Sequence, residues 1–227
     1  MTGAGVSAES GIPTYRGEGG FWRKYDPDRY ASYDYFLQDP SYYWRFFLEI
    51  RHPLLEKSRP NQAHLCLARL EADGRLVSVI TQNIDGLHQA AGSKTVRELH
   101  GSARLARCMS CKTEYTIDEV LPAESAEIPP RCEGCGGVVR PGVVLFGESL
   151  PPDVLDRAIA EAQASDLLIT IGSSLTVYPA AAIPEIARAG GARLIVVNVD
   201  PTPVDLVADV VFHARAGAIL PQILARI

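Results

Sequence analysis

No apolar run in this sequence approaches the roughly 18–20 residues that cross a bilayer, and no basic-then-apolar segment of the signal-peptide kind opens it. Positive charge is not in excess either: 22 Lys and Arg against 27 Asp and Glu leave a formal net charge of -5, and no basic run compensates locally. Such a chain has no bulk attraction for phosphate backbones or anionic lipid, which argues against nucleic acid as a direct partner and against a membrane. Internal repeats and low-complexity segments are missing. Cysteine is sparse, 5 in all, and four of these sit in two tight pairs, a usage that suits metal ligation in a reducing compartment better than a disulfide framework. These absences together predict a cytoplasmic globular protein.

What is present is a chain of 227 residues, 47% hydrophobic and 22% charged, enough for one sizeable core and a smaller lobe. Short runs rich in Val, Ile and Leu at 76–81, 143–146, 167–171, 194–198 and 210–213 are bounded by turn residues and read as buried strands. Between the later runs, 152–164 and 180–189 place apolar residues every three or four positions, as helices do. Strand and helix alternating in this way imply an α/β fold, a Rossmann-like doubly wound parallel sheet covered on both faces. Two stretches break the rhythm. Residues 17–59 are dense in aromatics, which fits the core of a small helical subdomain or, alternatively, a lid over a bound cofactor. Residues 105–140 carry the paired cysteines among short segments and read as an inserted zinc-ribbon-like module, leaving 1–16, 60–104 and 141–227 for the Rossmann-like lobe.

Cys108 and Cys111 are separated by two residues, as are Cys132 and Cys135, with twenty between the pairs. A two-residue spacer lets both thiolates of a knuckle converge on one ion, and four thiolates close a tetrahedral shell with no position left for water or substrate. The expected zinc is therefore structural. Redox-active pairs are the alternative. Cys66, on the apolar face of a helical pattern, reads as a buried small hydrophobe.

Gly3-Ala4-Gly5-Val6-Ser7 supplies glycines where a backbone must approach a pyrophosphate before a short helix, although such turns also serve packing alone. Gly172-Ser173-Ser174 directly follows the 167–171 run, and Asn198 ends the next, both at strand ends where ligands of such sheets bind. Gln82-Asn83-Ile84-Asp85 follows the 76–81 run with an amide pair and a carboxylate, able to grip a ribose or carboxamide or simply to cap a turn. His100, with Gly101 allowing close approach, is the best single candidate for a general base, since imidazole titrates near working pH. His64 and His88 lie within helical patterns and read as structural.

In this order, GAGVSAESGIPTYRG (3–17), TQNIDGLH (81–88), LHGS (99–102), the cysteine pairs, RPGVVLFGE (140–148) and GSS (172–174) resemble the sirtuin family over almost the whole chain. The resemblance implies NAD as co-substrate, with Gly3, Ala4, Gly5, Ser7, Glu9, Tyr15 and Arg16 along the cofactor loop and Gly172, Ser173, Ser174, Asn198 and Ala216 around the adenosine half. It implies that Asn83 and Asp85 hold the nicotinamide ribose and carboxamide with Gln82 beside them, and that His100 and Asn83 are catalytic. It further implies that Val143, Val144, Leu145, Phe146, Gly147 and Glu148 carry an edge to which an acyl-lysine peptide adds as a strand. The implied activity is NAD-dependent deacylation of protein lysines, yielding nicotinamide and O-acyl-ADP-ribose. Rivals are mono-ADP-ribosyl transfer and a non-catalytic NAD or ADP-ribose binding module.

Two departures from the family stand out. Its members carry a helix and a central strand before the glycine loop, which here begins at Thr2, so a misassigned start or a truncation is expected. Relatives that remove succinyl or malonyl groups carry a Tyr-x-x-Arg pair after the Trp of the small lobe. Anchoring on Trp44 puts Phe47 and Ile50 at that pair, and anchoring on Pro60-Asn61 puts Leu48 and Arg51 there. Neither register supplies the tyrosine. Neutral acyl groups, acetyl first, are therefore expected, with Arg51 as the one residue that keeps an acidic group in view.

Overall fold

The computed structural model describes residues 1–17, 19–121 and 127–226. In chain order, α1 (Ala4–Ser7) is followed by four short helices, α2 (Pro27–Tyr30), α3 (Tyr33–Gln38), α4 (Pro40–Phe46) and α5 (His52–Lys57), with a π-helical turn at Phe47–Arg51 between the last two. Then come α6 (Gln62–Ala72), β1 (Val79–Thr81), α7 (Leu87–Ala90) and β2 (Val96–Glu98). The cysteine module contains β3 (Gly101–Cys108), β4 (Glu114–Thr116), α8 (Ile117–Val120) and β5 (Val139–Val143). The chain closes with α9 (Pro152–Gln163), β6 (Leu167–Ile171), α10 (Ile183–Ala189), β7 (Arg193–Val197), β8 (Val210–Phe212) and α11 (Ala216–Leu224).

The main sheet is parallel. β1 pairs with β2, and β6, β7 and β8 pair in sequence. Thr2 joins the two halves, bridging in parallel to Thr81 on one side and Ile171 on the other, so residues 1–3 occupy the centre of the sheet. Apolar side chains leave both faces. One face packs Ile80, Leu168, Leu194 and Val196 against Ala158 and Ala162 of α9 and Ile183 and Ala187 of α10. The other packs Val79, Ile171 and Val197 against Ala63 and Leu67 of α6 and Leu220 of α11. Burial from two sides explains the near-continuous hydrophobic strands. Ala158 and Ala162 of α9, at most 1% exposed, let its backbone lie close to the sheet. α6 starts where Asn61 accepts from Ala63 N at 2.9 Å while the His64 ring accepts from Asn61 N at 3.3 Å, a reciprocal cap.

The helical lobe is built from local caps around an aromatic core. Asp26, Ser32 and Asp39 each accept backbone N–H groups at the starts of α2, α3 and α4. Phe36, Tyr43, Trp44 and Phe47 are buried, and Trp44 Nε1 donates to Val139 O at 2.8 Å. Cys108 and Cys132 belong to the same hydrophobic cluster, so the helical lobe and the cysteine module share one core. The module's antiparallel sheet runs β4-β3-β5, with a register shift between Gly101 and Ala106. It therefore roots at residue 101 and returns at 143, slightly wider than the 105–140 expected. Of the expected strands, 167–171 coincides with β6, whereas the 143–146 run ends at Val143 and continues only as the isolated bridge of Phe146 to Ser32.

Candidate active site

The glycine loop and the loop after β6 touch. Gly3 N donates to Ile171 O at 3.0 Å and Gly5 N to Gly172 O at 2.8 Å, and a Cβ on Gly5 would lie 2.7 Å from Gly172 Cα. Gly172 itself holds φ +60°. The glycines are thus required by loop-on-loop packing, and that same packing floors a cavity of about 630 Å³ between the parallel sheet and the two inserted lobes. Gly3, Ala4, Gly5, Glu9, Tyr15 and Arg16 line it from the first loop, and Gly172, Ser173, Ser174, Asn198 and Ala216 from the later strand ends. Gln82, Asn83, His100, Arg51 and all of 143–148 line it as well. Ser7 and Asp85 do not; they lie behind Asn83 in a smaller apolar annexe with Ile12, Phe21 and Ile84. Glu9 also accepts from Gly217 N at 2.8 Å, tying the first loop to the start of α11.

Asn83 is held from two sides. Its backbone N donates to Thr81 Oγ1 at 3.0 Å, and its side-chain amide donates to Gly3 O at 3.1 Å and Ser7 Oγ at 3.0 Å. Ser7 Oγ donates to Asp85 Oδ2 at 2.7 Å, and Asp85 Oδ1 accepts from Leu87 N at 2.9 Å, so the turn cap is also present. The Oδ1 of Asn83 accepts from no described residue and remains available to a ligand. His64, read from sequence as structural, approaches Ser7 Oγ at 3.4 Å. Its Nδ1 accepts the Asn61 N–H, so Nε2 carries the proton and supports Ser7. The Asn-x-x-His cap pattern was the sequence signal for that orientation. His88 packs on His64 with ring centroids 4.8 Å apart, and burial pushes its pKa down to about 3. It is neutral: Thr2 Oγ1 donates to Thr81 and accepts from His88 Nε2 at 2.9 Å.

His100 Nδ1 lies 2.9 Å from Gln82 O. A carbonyl only accepts, so Nδ1 carries the proton and Nε2 is left as the basic nitrogen. Burial lowers the imidazole below its usual value, and the bond to Gln82 opposes that shift in part. The Gln82 side chain donates to Ser173 Oγ at 2.8 Å, linking the end of β1 to the loop after β6.

Arg51 meets a tyrosine that neither sequence register supplied. Its Nη1 is 3.5 Å from Tyr43 OH, and its guanidinium lies over the rings of Phe46 and Tyr15 at 5.4 and 5.9 Å. The π-helical turn at Phe47–Arg51 adds a residue to the helical circuit and turns Arg51 toward the cavity, a rotation that spacing rules do not register. No carboxylate among the described residues forms an ion pair with it. Trp22, from the aromatic 17–59 stretch, also lines the cavity, as do Tyr178, Asp200 and Arg215, which were not singled out in sequence because they sit in no motif.

The four cysteines converge. Their Sγ atoms all lie within 4.8 Å of one another, with Cys108–Cys135 at 3.5 Å and Cys111–Cys132 at 3.6 Å. A tetrahedron with zinc–sulfur bonds of about 2.3 Å has edges of about 3.8 Å, so the donor set fits one zinc. Tyr115 OH lies 3.0 Å from Cys132 Sγ, a hydrogen bond from outside the shell.

Comparison with known proteins places this geometry. The Sir2 family model matches residues 3–179. The NAD-dependent protein deacylase 2 of Pyrobaculum aerophilum is 47% identical over 227 residues, covering 100% of this chain and 89% of the relative. The NAD-dependent protein deacetylase of Caldivirga maquilingensis is 51% identical over 225 residues, covering 99% and 86%. A solved Sir2 variant in complex with a deacetylated p53 peptide and 3′-O-acetyl ADP ribose superposes with a TM-score of 0.93 at 40% identity, covering 99% of this chain and 91% of that one. The chain belongs to the Sir2 family.

Proposed function

We propose that this protein is an NAD-dependent protein-lysine deacylase acting on acyl-lysine peptides, with one structural zinc. The observation that carries the reading is the convergence, in one cavity, of a neutral histidine with a free Nε2, the uncommitted Oδ1 of Asn83 and the paired glycine loops. When bound, NAD would supply an electrophilic ribose C1′ that exchanges nicotinamide for the acyl-lysine amide oxygen, and with one water consumed the products would be nicotinamide, O-acyl-ADP-ribose and free lysine. His100 Nε2 takes the proton from a ribose hydroxyl. Asn83 fixes the nicotinamide end, and the Ser7–Asp85–His64 group holds Asn83 in place. The loops at 3–5 and 172–174 present backbone to the diphosphate. The edge at 143–148 receives the peptide. Four thiolates leave the zinc no open position, so its part is to hold the module together. No described helix is long and apolar enough to cross a membrane, and the thiolate site suits a reducing compartment, which favours a cytoplasmic location.

Acetyl is the favoured acyl group. A second reading has one observation behind it: Arg51 with Tyr43 beside the cavity, lacking a carboxylate partner among the described residues, is a site for the carboxylate of a diacid acyl group. Mass-spectrometric turnover of acetyl-, butyryl- and succinyl-lysine peptides with and without NAD tests both. NAD-dependent loss of acetyl that His100→Ala abolishes is expected. Faster succinyl removal, lost in Arg51→Met, would establish the second reading, and NAD binding with every peptide left intact would sink the deacylase assignment.

A further inference from the structure

Glu148 lies at the end of the peptide-receiving segment, yet its carboxylate is already fully engaged. Oε1 accepts from Arg140 Nη1 at 2.6 Å, and Oε2 accepts from Arg140 Nη2 at 2.7 Å and from Leu145 N at 2.8 Å. Arg140, on β5 and only 8% exposed, also donates from Nη2 to Val143 O at 2.8 Å. Its guanidinium lies over the rings of Tyr33 and Phe36 at 5.3 and 5.5 Å. One planar fork therefore ties the beginning, the middle and the end of 143–148 into a closed bend. A lysine offers no such fork and cannot reach both oxygens and a carbonyl in one plane.

The bend decides what is left for a ligand. Val144 N is taken by His100 O at 2.9 Å, and Phe146 gives its N–H to Ala31 O at 2.7 Å and its carbonyl to Tyr33 N at 2.9 Å. Glu148 N returns to Leu145 O at 3.0 Å. Among the described residues Gly147 makes no hydrogen bond, so its N–H and C=O remain at the cavity wall, beside the half-exposed Phe146 ring that faces Trp22 at 6.2 Å. Without the tether, this bend would have to be ordered by the incoming peptide, and the cost of that ordering would appear as weaker peptide binding.

We propose that Arg140 and Glu148 are positioning residues for the acyl-peptide substrate, holding 143–148 in the bend that presents the Gly147 backbone, while touching neither NAD nor the reacting atoms. This rests on the deacylase reading. The test varies acetyl-lysine peptide and NAD separately for the zinc-loaded full chain and for Arg140→Lys and Glu148→Gln, with hydrogen exchange followed at 141–149. Both variants should raise the peptide KM about tenfold, the scale of one lost charge-assisted hydrogen bond, while the NAD KM stays within about twofold of wild type on the same scale. The Leu145 amide should exchange faster in both. Should either variant fail to fold, Glu148→Asp keeps the ion pair but withdraws from Leu145 N, and the same selective rise is expected. An unchanged peptide KM in folded variants overturns the clamp, as does parallel loss of peptide and NAD affinity with a lowered Tm, which would mark a merely structural pair. A wild-type chain that deacylates no peptide overturns the underlying activity and the clamp with it. That is distinct from an active wild type whose variants behave normally, which overturns the clamp alone.

Discussion

At His100, burial lowers the imidazole pKa below 6.5 while the Gln82 carbonyl partly restores it. The group is therefore neutral, and able to accept a proton, from below 6.5 upward. The acid limb of kcat/KM should have its midpoint under 6.5 and the profile should be flat through neutrality; a midpoint above 7 would remove His100 as the base. The same burial has a stability consequence at His64 and His88, whose values are also lowered, His88 to about 3. A histidine with a depressed folded pKa binds fewer protons than the unfolded chain between the two values. The histidine contribution to stability is thus full above about 6.5 and falls as pH drops toward the folded value, with His88 alone removing about 1.4 kcal/mol per pH unit. The carboxylates with lowered values, Asp39, Glu71, Glu119, Glu161 and Asp209, start from 3.8 or 4.5. The interval from 6.5 to 5 avoids these carboxylates but is shared with the buried Met1 amino group, pushed down to about 5, and with Glu98, which burial raises, so the histidine part is read as the difference between a histidine variant and wild type. Urea titrations there should show a shallower pH slope in His88→Asn than in wild type, and equal slopes would discard the neutral buried His88. These environments could not be read from sequence. His64 and His88 carried helical periodicity, which says that a residue is inside but not that its ring meets a serine, a threonine or another histidine.

Among the elements, the cysteine module and the helical lobe are bound to each other more closely than their separation in sequence suggests. Trp44 is fully buried and its Nε1 donates to Val139 O, in a cluster that also contains Cys108 and Cys132. Chelating the zinc should therefore loosen the helical lobe as well as the module. Because Trp22 and Trp44 are the 2 tryptophans, a red shift in fluorescence accompanying zinc release is the expected sign, and release with unchanged emission would contradict it. Trp44→Phe keeps most of the ring but leaves the buried Val139 carbonyl without its donor, at about 1–3 kcal/mol. The metal spacing was plain in the sequence because two-residue knuckles have few other uses. The strands beside it were not. β3 buries its residues with no regular period and shifts register between Gly101 and Ala106, and β2 is three half-buried residues. Two-sided burial made β6 legible to the residue, and the π-helical turn made the Arg51–Tyr43 pair illegible, since the helical spacing rules assume 3.6 residues per turn throughout.

Across the whole molecule, the cavity exists only because three separate parts of the chain meet: the loops at the strand ends, the aromatic helical lobe and the segment returning from the cysteine module. The doubly wound sheet and a cavity at its strand ends followed from alternation and punctuation alone. The wall opposite did not, because Trp22, Tyr43 and Phe146 face the cavity through contacts between lobes. A ligand seated there touches all three parts and should stabilise them as one unit. For ADP-ribose at 100 times its Kd the gain is about 2.7 kcal/mol, and for a domain of this size each kcal/mol raises Tm by about 2–4 °C. A calorimetric scan with saturating ADP-ribose should then show a single transition displaced upward by about 5–10 °C on that scale. The displacement should shrink in Gly172→Ala, where a Cβ would overlap Val6 N and force residues 3–6 away from the loop after β6. Two transitions, of which only one responded to ADP-ribose, would mean that the helical lobe does not close the cavity and that the cofactor is held by the sheet alone.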